Sequence, residues 1–278
     1  MKLDAYFKKQ IVKIDRALLG YLPKKNNQSP ALHQAMRYAV MSGGKRIRPI
    51  LALAACEAVG GDEKKTLAAA CALEFIHSYS LVHDDLPCMD NDTLRRGKPT
   101  CHVKFGEATS LLAGDALLTL AFKVLTLNDV SAKIKDIKKQ LETVHWIAEA
   151  IGVRGMVGGQ ALEMEFQGKE MDLPTAEYVN AHKSGALIAV SLRAGACLGG
   201  GTPREVDALY RYGKHIGLLF QLVDDIMDTQ GYVQVIGLKE TKRKAESLLK
   251  TAKESLVPFG EKGGRLRDLA GFILNRKN

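Results

Sequence analysis

The chain has 278 residues, 46% of them apolar, and its 40 basic and 31 acidic side chains give a formal net charge of +9. This size allows a substantial buried core, and without a linker-like tract we expect a single domain spanning residues 1–278. The N-terminus lacks the apolar core of a signal peptide and no run of about 20 apolar residues is evident, so we expect a cytoplasmic protein with no membrane insertion.

Apolar residues recur at helical spacings of three and four in eight segments. In chain order these segments are Ala31–Met41, Ile50–Val59, Thr66–Asp85, Ser110–Leu125, Lys133–Ile151, Tyr178–Leu198, Glu205–Val223 and Glu240–Ser255. The connections hold Gly, Pro, Asn and Ser, and no segment alternates as a strand does. The pattern predicts an all-α protein, a bundle of about ten or more helices.

A basic, glycine-rich segment follows the first predicted helix: Ser-Gly-Gly-Lys45-Arg46-Ile-Arg48-Pro. Glycines free the backbone there, and cations at positions 45 and 48 are well placed to converge on a phosphate group. An ordinary basic turn is the alternative.

The helix Thr66–Asp85 ends in a first acidic cluster of Asp84, Asp85 and Asp90. Pro87 disfavours helix at the preceding residue, so we expect the helix to stop at Asp85 and the chain to bend Asp90 back toward Asp84. Carboxylates at the negative end of a helix are unfavourable unless a cation compensates. Mg²⁺, which takes oxygen ligands and is commonly shared with a substrate phosphate, is the simplest such cation.

A second cluster, Asp224, Asp225 and Asp228, closes another buried helix. Asp224 and Asp228 are one turn apart and share a face. Solvated helix ends would explain one such cluster, whereas two of them favour metal binding. Arg95-Arg96-Gly97-Lys98 directly follows the first cluster, and two separate cationic segments suggest two phosphate-bearing substrates.

These segments together resemble the trans-isoprenyl diphosphate synthases, and bacterial farnesyl diphosphate synthases (geranyltranstransferases) most of all. The resemblance rests on five motifs in order, which contain Lys45–Arg48, Asp84–Arg96, Gly-Gly-Gln160, His182-Lys183-Ser184 and Phe220-Gln221 to Asp228. It runs from about residue 30 to the C-terminus.

The resemblance implies an all-helical homodimer whose helices surround a central cavity, and isoprenyl diphosphates as substrates. It implies three Mg²⁺ ions, with Mn²⁺ as a substitute, held by Asp84, Asp85, Asp90, Asp224 and Asp228. Arg95 and Lys183 would help to bind the allylic diphosphate. Isopentenyl diphosphate would contact Lys45, Arg48, His77 and Arg96.

The implied reaction ionises the allylic diphosphate, after which isopentenyl diphosphate attacks the carbocation. Ser184, the carbonyl of Lys183 and Gln221 resemble the family's dipoles that stabilise the cation. Tyr79, five residues before Asp84, would form the floor of the tunnel, and the family associates an aromatic residue there with a fifteen-carbon product. Phe75 would reinforce the floor or serve only in the core.

The chain also departs from the family pattern. Ser184 replaces the usual threonine, and Glu163 stands where aspartate is commoner. After Asp228 a loop of around twenty residues with a phosphate-binding lysine is missing, either as a real deletion or as an omitted segment. A geranylgeranyl diphosphate synthase and a non-catalytic partner subunit remain alternatives. We expect no nucleic acid partner, because no basic patch is interleaved with aromatic residues.

Overall fold

The computed structural model describes residues 3–24, 28–127 and 133–276. The α-helices in this part of the chain are α1 Leu3–Tyr21, α2 Pro30–Met41, α3 Ile47–Ala58, α4 Glu63–Asp84, α5 Cys101–Phe105, α6 Glu107–Leu125, α7 Ile134–Ile151, α8 Met156–Glu165, α9 Leu173–Val179, α10 Ala186–Leu198, α11 Pro203–Asp228, α12 Tyr232–Ile236, α13 Leu238–Ser255 and α14 Gly264–Asn275. A π-helical segment, Asn180–Gly185, joins α9 to α10, and a 3-10 segment, Val257–Gly263, precedes α14. The prediction of an all-α protein is confirmed.

Two short strands were not predicted from the sequence. β1 Leu94–Arg95 pairs antiparallel with β2 Lys98–Pro99, so that Arg95 lies opposite Lys98. The ladder is only two residues long, which is too short to show an alternating pattern. Its turn contains Arg96 and Gly97, both with positive φ.

Each predicted helical segment is largely helical, with one correction. The stretch Tyr178–Leu198 is not one continuous α-helix, because its residues Asn180–Gly185 adopt the wider π form. A single π turn leaves the spacing of apolar residues almost unchanged, so periodicity does not reveal it. The helices α1, α5, α8, α12 and α14 and most of α9 were not predicted. Helix α1 buries only a narrow stripe of residues, Tyr6, Gln10, Ile14 and Leu18, which gives a weak periodic pattern.

The described residues form two compact units. The first combines residues up to Ile50 with the stretch from Leu67 to Leu127, and the second combines Leu51–Thr66 with the residues from Lys133 onward. The expectation of a single domain stays a prediction.

In the first unit, α4 carries the core and delivers the first acidic cluster. Its residues from Ala70 to Leu73 are fully buried, as the apolar sequence predicts. The helix ends at Asp84, one residue before the predicted end. Elsewhere in this unit, α2 packs against α6, and Pro30 occupies the first position of α2, where its missing N–H costs nothing.

In the second unit, α11 packs against α10 and α13. Thr202 caps α11 because its side chain accepts a hydrogen bond from the Glu205 amide. In return, the Glu205 carboxylate accepts a hydrogen bond from the Thr202 amide. This capping box satisfies two otherwise unpaired donors and fixes where the helix begins. The opposite end of α11 carries the second acidic cluster.

Helix α6 corrects one expectation from the sequence. By length and composition it is apolar enough to cross a membrane, and it alone meets that test among the described residues. Core helices of proteins that do not enter membranes meet the same test. Its buried residues include Ala113, Leu117 and Ala121.

Candidate active site

The two basic segments of the first unit meet each other. The Arg96 guanidinium donates a hydrogen bond to the Gly43 carbonyl, and the Lys98 ammonium donates one to the Ser42 carbonyl at 3.2 Å. Gly44 has a φ of +140°, a conformation that residues with a side chain rarely adopt, and a Cβ atom there would lie 2.5 Å from Arg96 Nη1. The structure thus joins Arg96 to the Lys45 segment, which is exposed to solvent at Lys45 itself.

Arg46 anchors this glycine-rich segment. Its guanidinium donates to Glu74 Oε1 at 2.7 Å, to Asp15 Oδ1 at 2.9 Å and to the Val40 carbonyl at 2.8 Å. Arg46 has a φ of +50°, a conformation that costs energy for a residue with a side chain and that these bonds hold in place. The sequence analysis missed Glu74. A single acidic residue within the apolar helix α4 was the signal that could have indicated a buried cationic partner.

Arg48 and His77 lie in the same electropositive region. Burial, and then the nearby Arg96, lower the pKa of Arg48 to about 10, although Glu74 opposes the shift. No described residue accepts a hydrogen bond from the buried Arg48 Nε. Burial and the neighbouring arginines, Arg48 first, hold the pKa of His77 well below its ordinary value, so its ring is neutral at pH 7.

The first acidic cluster closes in a tight turn. The Asp90 amide donates to the Asp84 carbonyl at 2.9 Å, which confirms the predicted bend after Pro87. Asp85 is buried and accepts hydrogen bonds from Arg95, with Nε at 2.7 Å and Nη2 at 2.5 Å. Burial raises the pKa of Asp85, and the bond from Arg95 offsets only part of this shift.

A cavity of about 40 Å³ lies beside this ion pair, lined by Asp85, Arg95, Arg96 and Lys98 among others. It is large enough for a few water molecules and too small for an organic diphosphate. Tyr79 lies on α4 upstream of the cluster, where it is 6% exposed. Its ring meets that of His83 edge-on, with 5.7 Å between centroids.

In the second unit, the π-helical segment carries Lys183 and Ser184. The Lys183 ammonium forms an ion pair with Glu163 of α8. A Cβ atom at Gly159 would lie 2.4 Å from the backbone nitrogen of Lys183, so glycine lets α8 approach this segment closely. Single π turns inside helices occur frequently at functional sites.

Gln160, next to Gly159, is a polar residue whose role the sequence analysis did not assign. Its amide nitrogen and oxygen are both buried, and neither has a hydrogen-bond partner within the described part of the chain. An amide left without partners is costly and commonly marks a place where a ligand or water binds.

The second acidic cluster is held by its own helix and by the chain that follows. Gln221 donates to Asp225 Oδ1 at 3.1 Å, and the Tyr232 amide donates to Asp225 Oδ2 at 3.0 Å. Burial raises the pKa of Asp225 despite these bonds. Only Thr229, Gln230 and Gly231 separate α11 from α12, so the short connection is built into the cluster.

Arg276, which directly follows α14, contacts the same cluster. Its Nη2 lies 2.5 Å from Asp224 Oδ1 and donates to the Phe220 carbonyl at 2.8 Å. Its guanidinium carbon lies 3.6 Å from the centre of the Phe220 ring. The sequence analysis missed Arg276, because nothing near it in the sequence indicates this long-range contact.

The comparisons with known proteins agree with the five motifs. The family model described as polyprenyl synthetase matches residues 29–243. The chain belongs to this family. Its members are prenyltransferases that use isoprenyl diphosphates and a divalent metal, so the chain is an enzyme of the trans-isoprenyl diphosphate synthase class.

Individual relatives differ in the products that their names state. Geranylgeranyl pyrophosphate synthase 4 of Arabidopsis thaliana is 46% identical over 270 residues, covering 89% of this chain and 71% of the relative. A crystal structure of an FPP/GFPP synthase from Zymomonas mobilis is 39% identical, has a TM-score of 0.92 and covers 98% of each chain.

A third relative is named as a subunit of a heterodimer. The alignment with heterodimeric geranylgeranyl pyrophosphate synthase large subunit 2 of Arabidopsis thaliana covers 99% of this chain and 77% of the relative, at 40% identity.

The side chains of the two acidic clusters are chemically suited to bind Mg²⁺. Carboxylate oxygens are the donors that Mg²⁺ prefers, and each cluster attracts a cation, since Arg95 pairs with Asp85 and Arg276 with Asp224. Among the described residues, no three acidic, histidine or cysteine side chains are already assembled for a metal. A metal ion would therefore compete with these arginines for oxygen atoms.

Proposed function

We propose that this protein is a farnesyl diphosphate synthase, which condenses isopentenyl diphosphate with dimethylallyl or geranyl diphosphate. The family membership supports the condensation reaction. The buried Tyr79 is the observation that carries the choice of a fifteen-carbon product.

Tyr79 precedes Asp84 by five residues on an unbroken helix, which corresponds to roughly 7.5 Å at 1.5 Å per residue. Phe75, one turn further from the cluster, is fully buried. A chain growing away from diphosphate held at Asp84 would meet these rings in turn. Two aromatic residues one turn apart on this helix favour a short product.

The aspartates Asp84, Asp85, Asp90, Asp224 and Asp228 would hold the metal ions, three Mg²⁺ in our proposal. When bound, these ions supply positive charge that stabilises the departing diphosphate. Arg95 and Lys183 would donate hydrogen bonds to the same group. Each now bonds a carboxylate, Asp85 or Glu163, and would exchange that partner for phosphate oxygens.

Isopentenyl diphosphate would bind at the electropositive region of Lys45, Arg48, His77 and Arg96. The buried Arg48 Nε, which no described residue pairs, is a donor suited to a phosphate oxygen. The neutral ring of His77 adds a hydrogen bond without adding charge.

The reaction itself follows from these contacts. The allylic C–O bond ionises, the double bond of isopentenyl diphosphate attacks the carbocation, and the departing diphosphate takes the proton that is lost. The Ser184 hydroxyl, the Lys183 carbonyl and the Gln221 amide oxygen would stabilise the cation by their dipoles. The bond from Gln221 Nε2 to Asp225 fixes the orientation of that amide.

Geranylgeranyl diphosphate synthesis is the second candidate, because the names of the Arabidopsis relatives state that product. We also propose a cytoplasmic homodimer, although two relatives are named as subunits of heterodimers. The exposed Leu111 and Leu112 on α6 support a subunit interface, provided that they belong to a larger contiguous apolar patch.

The deciding experiment incubates the protein with labelled isopentenyl diphosphate and each allylic primer, with and without Mg²⁺, and separates the products by chromatography. We expect a fifteen-carbon product that requires Mg²⁺. A twenty-carbon product would favour the second candidate. No product with any primer would favour a non-catalytic partner subunit.

A further inference from the structure

A cavity of about 440 Å³ opens in the second unit beside the π-helical segment that carries Lys183 and Ser184, and His182 of that segment lines it. Its walls come from the end of α7, the residues just after it, the π-helical segment, α10 and α11. None of the side chains assigned above to catalysis, substrate or metal lines it. The volume falls within the range of roughly 300–1,000 Å³ that is typical of small-molecule sites.

Arg193 is the central charged group of this cavity. Its guanidinium carbon lies 3.8 Å from the centre of the Trp146 ring and 4.7 Å from that of Tyr210. The two aromatic rings fix the plane of the guanidinium, which leaves its edge as the surface for hydrogen bonding. No acceptor for the buried Arg193 Nε exists within the described part of the chain.

The remaining charges make the cavity positive. Arg154 and Lys214 also line it, and both are exposed. Glu149 is the one carboxylate in the lining, and it faces His145 at 3.7 Å. Neither Arg154 nor Lys214 takes part in an ion pair with a described carboxylate. Three cations against one carboxylate attract an anion with more than one negative charge.

The lining also contains an apolar part, with Ala150, Ala186, Val190 and Leu218. A simple inorganic ion would leave this part uncovered, whereas a molecule with a hydrocarbon portion would bury it. We propose that this cavity is a second binding site, for a small organic phosphate that places its phosphate at Arg193 and Lys214 and its apolar portion against Val190 and Leu218.

Trp146 makes the proposal directly testable, because it is the only tryptophan in the chain and lines the cavity. Its fluorescence is followed while the full-length protein, without Mg²⁺, is titrated with geranyl monophosphate, inorganic phosphate or geraniol. We expect geranyl monophosphate to bind at least about tenfold more tightly than inorganic phosphate, since burial of two CH₂ groups suffices for that ratio. We expect a similar advantage over geraniol, which cannot accept charge-assisted hydrogen bonds from the cations.

The variants Lys214→Gln and Arg154→Gln change exposed residues and leave the stacked Arg193 intact. We expect Lys214→Gln to weaken binding of geranyl monophosphate by about fivefold to tenfold, since it removes one charge-assisted interaction. Arg154→Gln should weaken it by about twofold, since Arg154 contributes only its positive charge to the lining. Lys253→Gln, an equal charge change at an exposed position of α13 outside the cavity, is the matched control and should bind normally. An unchanged dissociation constant in both cavity variants, or equal binding of geraniol, would overturn the proposal.

Discussion

Arg276 and Asp224 form an ion pair within the second unit, with 2.5 Å between Nη2 and Oδ1. The arginine side chain is 5% exposed, whereas that of the aspartate is 32% exposed. The pair therefore places a buried, fixed cation on a carboxylate that the family resemblance assigns to a metal ion. An arginine near the C-terminus and the metal would compete for the same oxygen.

The first prediction is that Arg276→Gln tightens binding of Mg²⁺ by the substrate-free protein by about twofold to fivefold. A partly exposed ion pair contributes roughly 0.5–1 kcal/mol, and the metal no longer has to displace it. Isothermal titration calorimetry measures the change. Arg211→Gln, which breaks the exposed pair with Asp207 on the same helix, should leave the affinity for Mg²⁺ unchanged. Weaker binding in Arg276→Gln alone would show that the arginine supports the metal site.

The second prediction concerns product length. Tyr79→Ala should lengthen the main product beyond fifteen carbons, because the ring is buried and its removal opens space on α4. Chromatography of the dephosphorylated products measures this. Tyr79→Phe keeps the ring and should keep the product length. If Tyr79→Ala still makes only the fifteen-carbon product, another residue sets the limit.

The third prediction concerns stability. Glu74→Gln should lower the free energy of unfolding by about 3 kcal/mol, because it leaves Arg46 buried without its closest anionic partner. Asp15, the second partner of Arg46, has a side chain that is 32% exposed. Asp15→Asn should therefore lower the free energy of unfolding by about 1 kcal/mol or less. Urea denaturation compares the two variants. A larger loss in Asp15→Asn would show that the buried pair is not the main anchor.

The fourth prediction concerns pH. The pKa of His77 is lowered in the folded protein, so the unfolded chain binds more protons as pH falls below the ordinary value of roughly 6.5. Stability that depends on neutral His77 is complete above that pH and is lost below it. His77→Gln should therefore flatten the decline in the urea midpoint between pH 7 and pH 5. His145→Gln, at an exposed position, should keep the wild-type slope.

The sequence predicted the parts of this fold that depend on local patterns. Periodicity located α4 and α11, the helices that bear the two acidic clusters, and Pro87 located the end of α4, because both signals act over a few residues. The pairing of Arg96 with Gly43 and of Arg276 with Asp224 joins residues 53 and 52 positions apart, respectively. Such contacts depend on how helices pack, which local pattern does not encode.

The candidate site also combines features that the sequence predicts with features that it does not. The sequence predicted the motif residues, because their types and spacing are typical of metal and phosphate binding. It did not predict which residues they contact in the substrate-free protein. Glu74 has the appearance of a single polar residue in an apolar helix, and Gln160 belongs to a motif whose glycines have an evident packing role. Only the three-dimensional structure shows that one neutralises an arginine and the other lacks partners among the described residues.

The turn from Thr229 to Gly231 limits how this protein can be re-engineered. A Cβ atom at Gly231 would lie 2.4 Å from Asp225 Oδ2, and both Thr229 and Gly231 have positive φ. Transplanting a longer loop from a relative into this position would therefore succeed only if its last residues preserve the glycine and the amide that bonds Asp225. A loop that lacks this glycine or this amide would break the contact between α12 and Asp225, and the Asp225 carboxylate would then lose its fixed position.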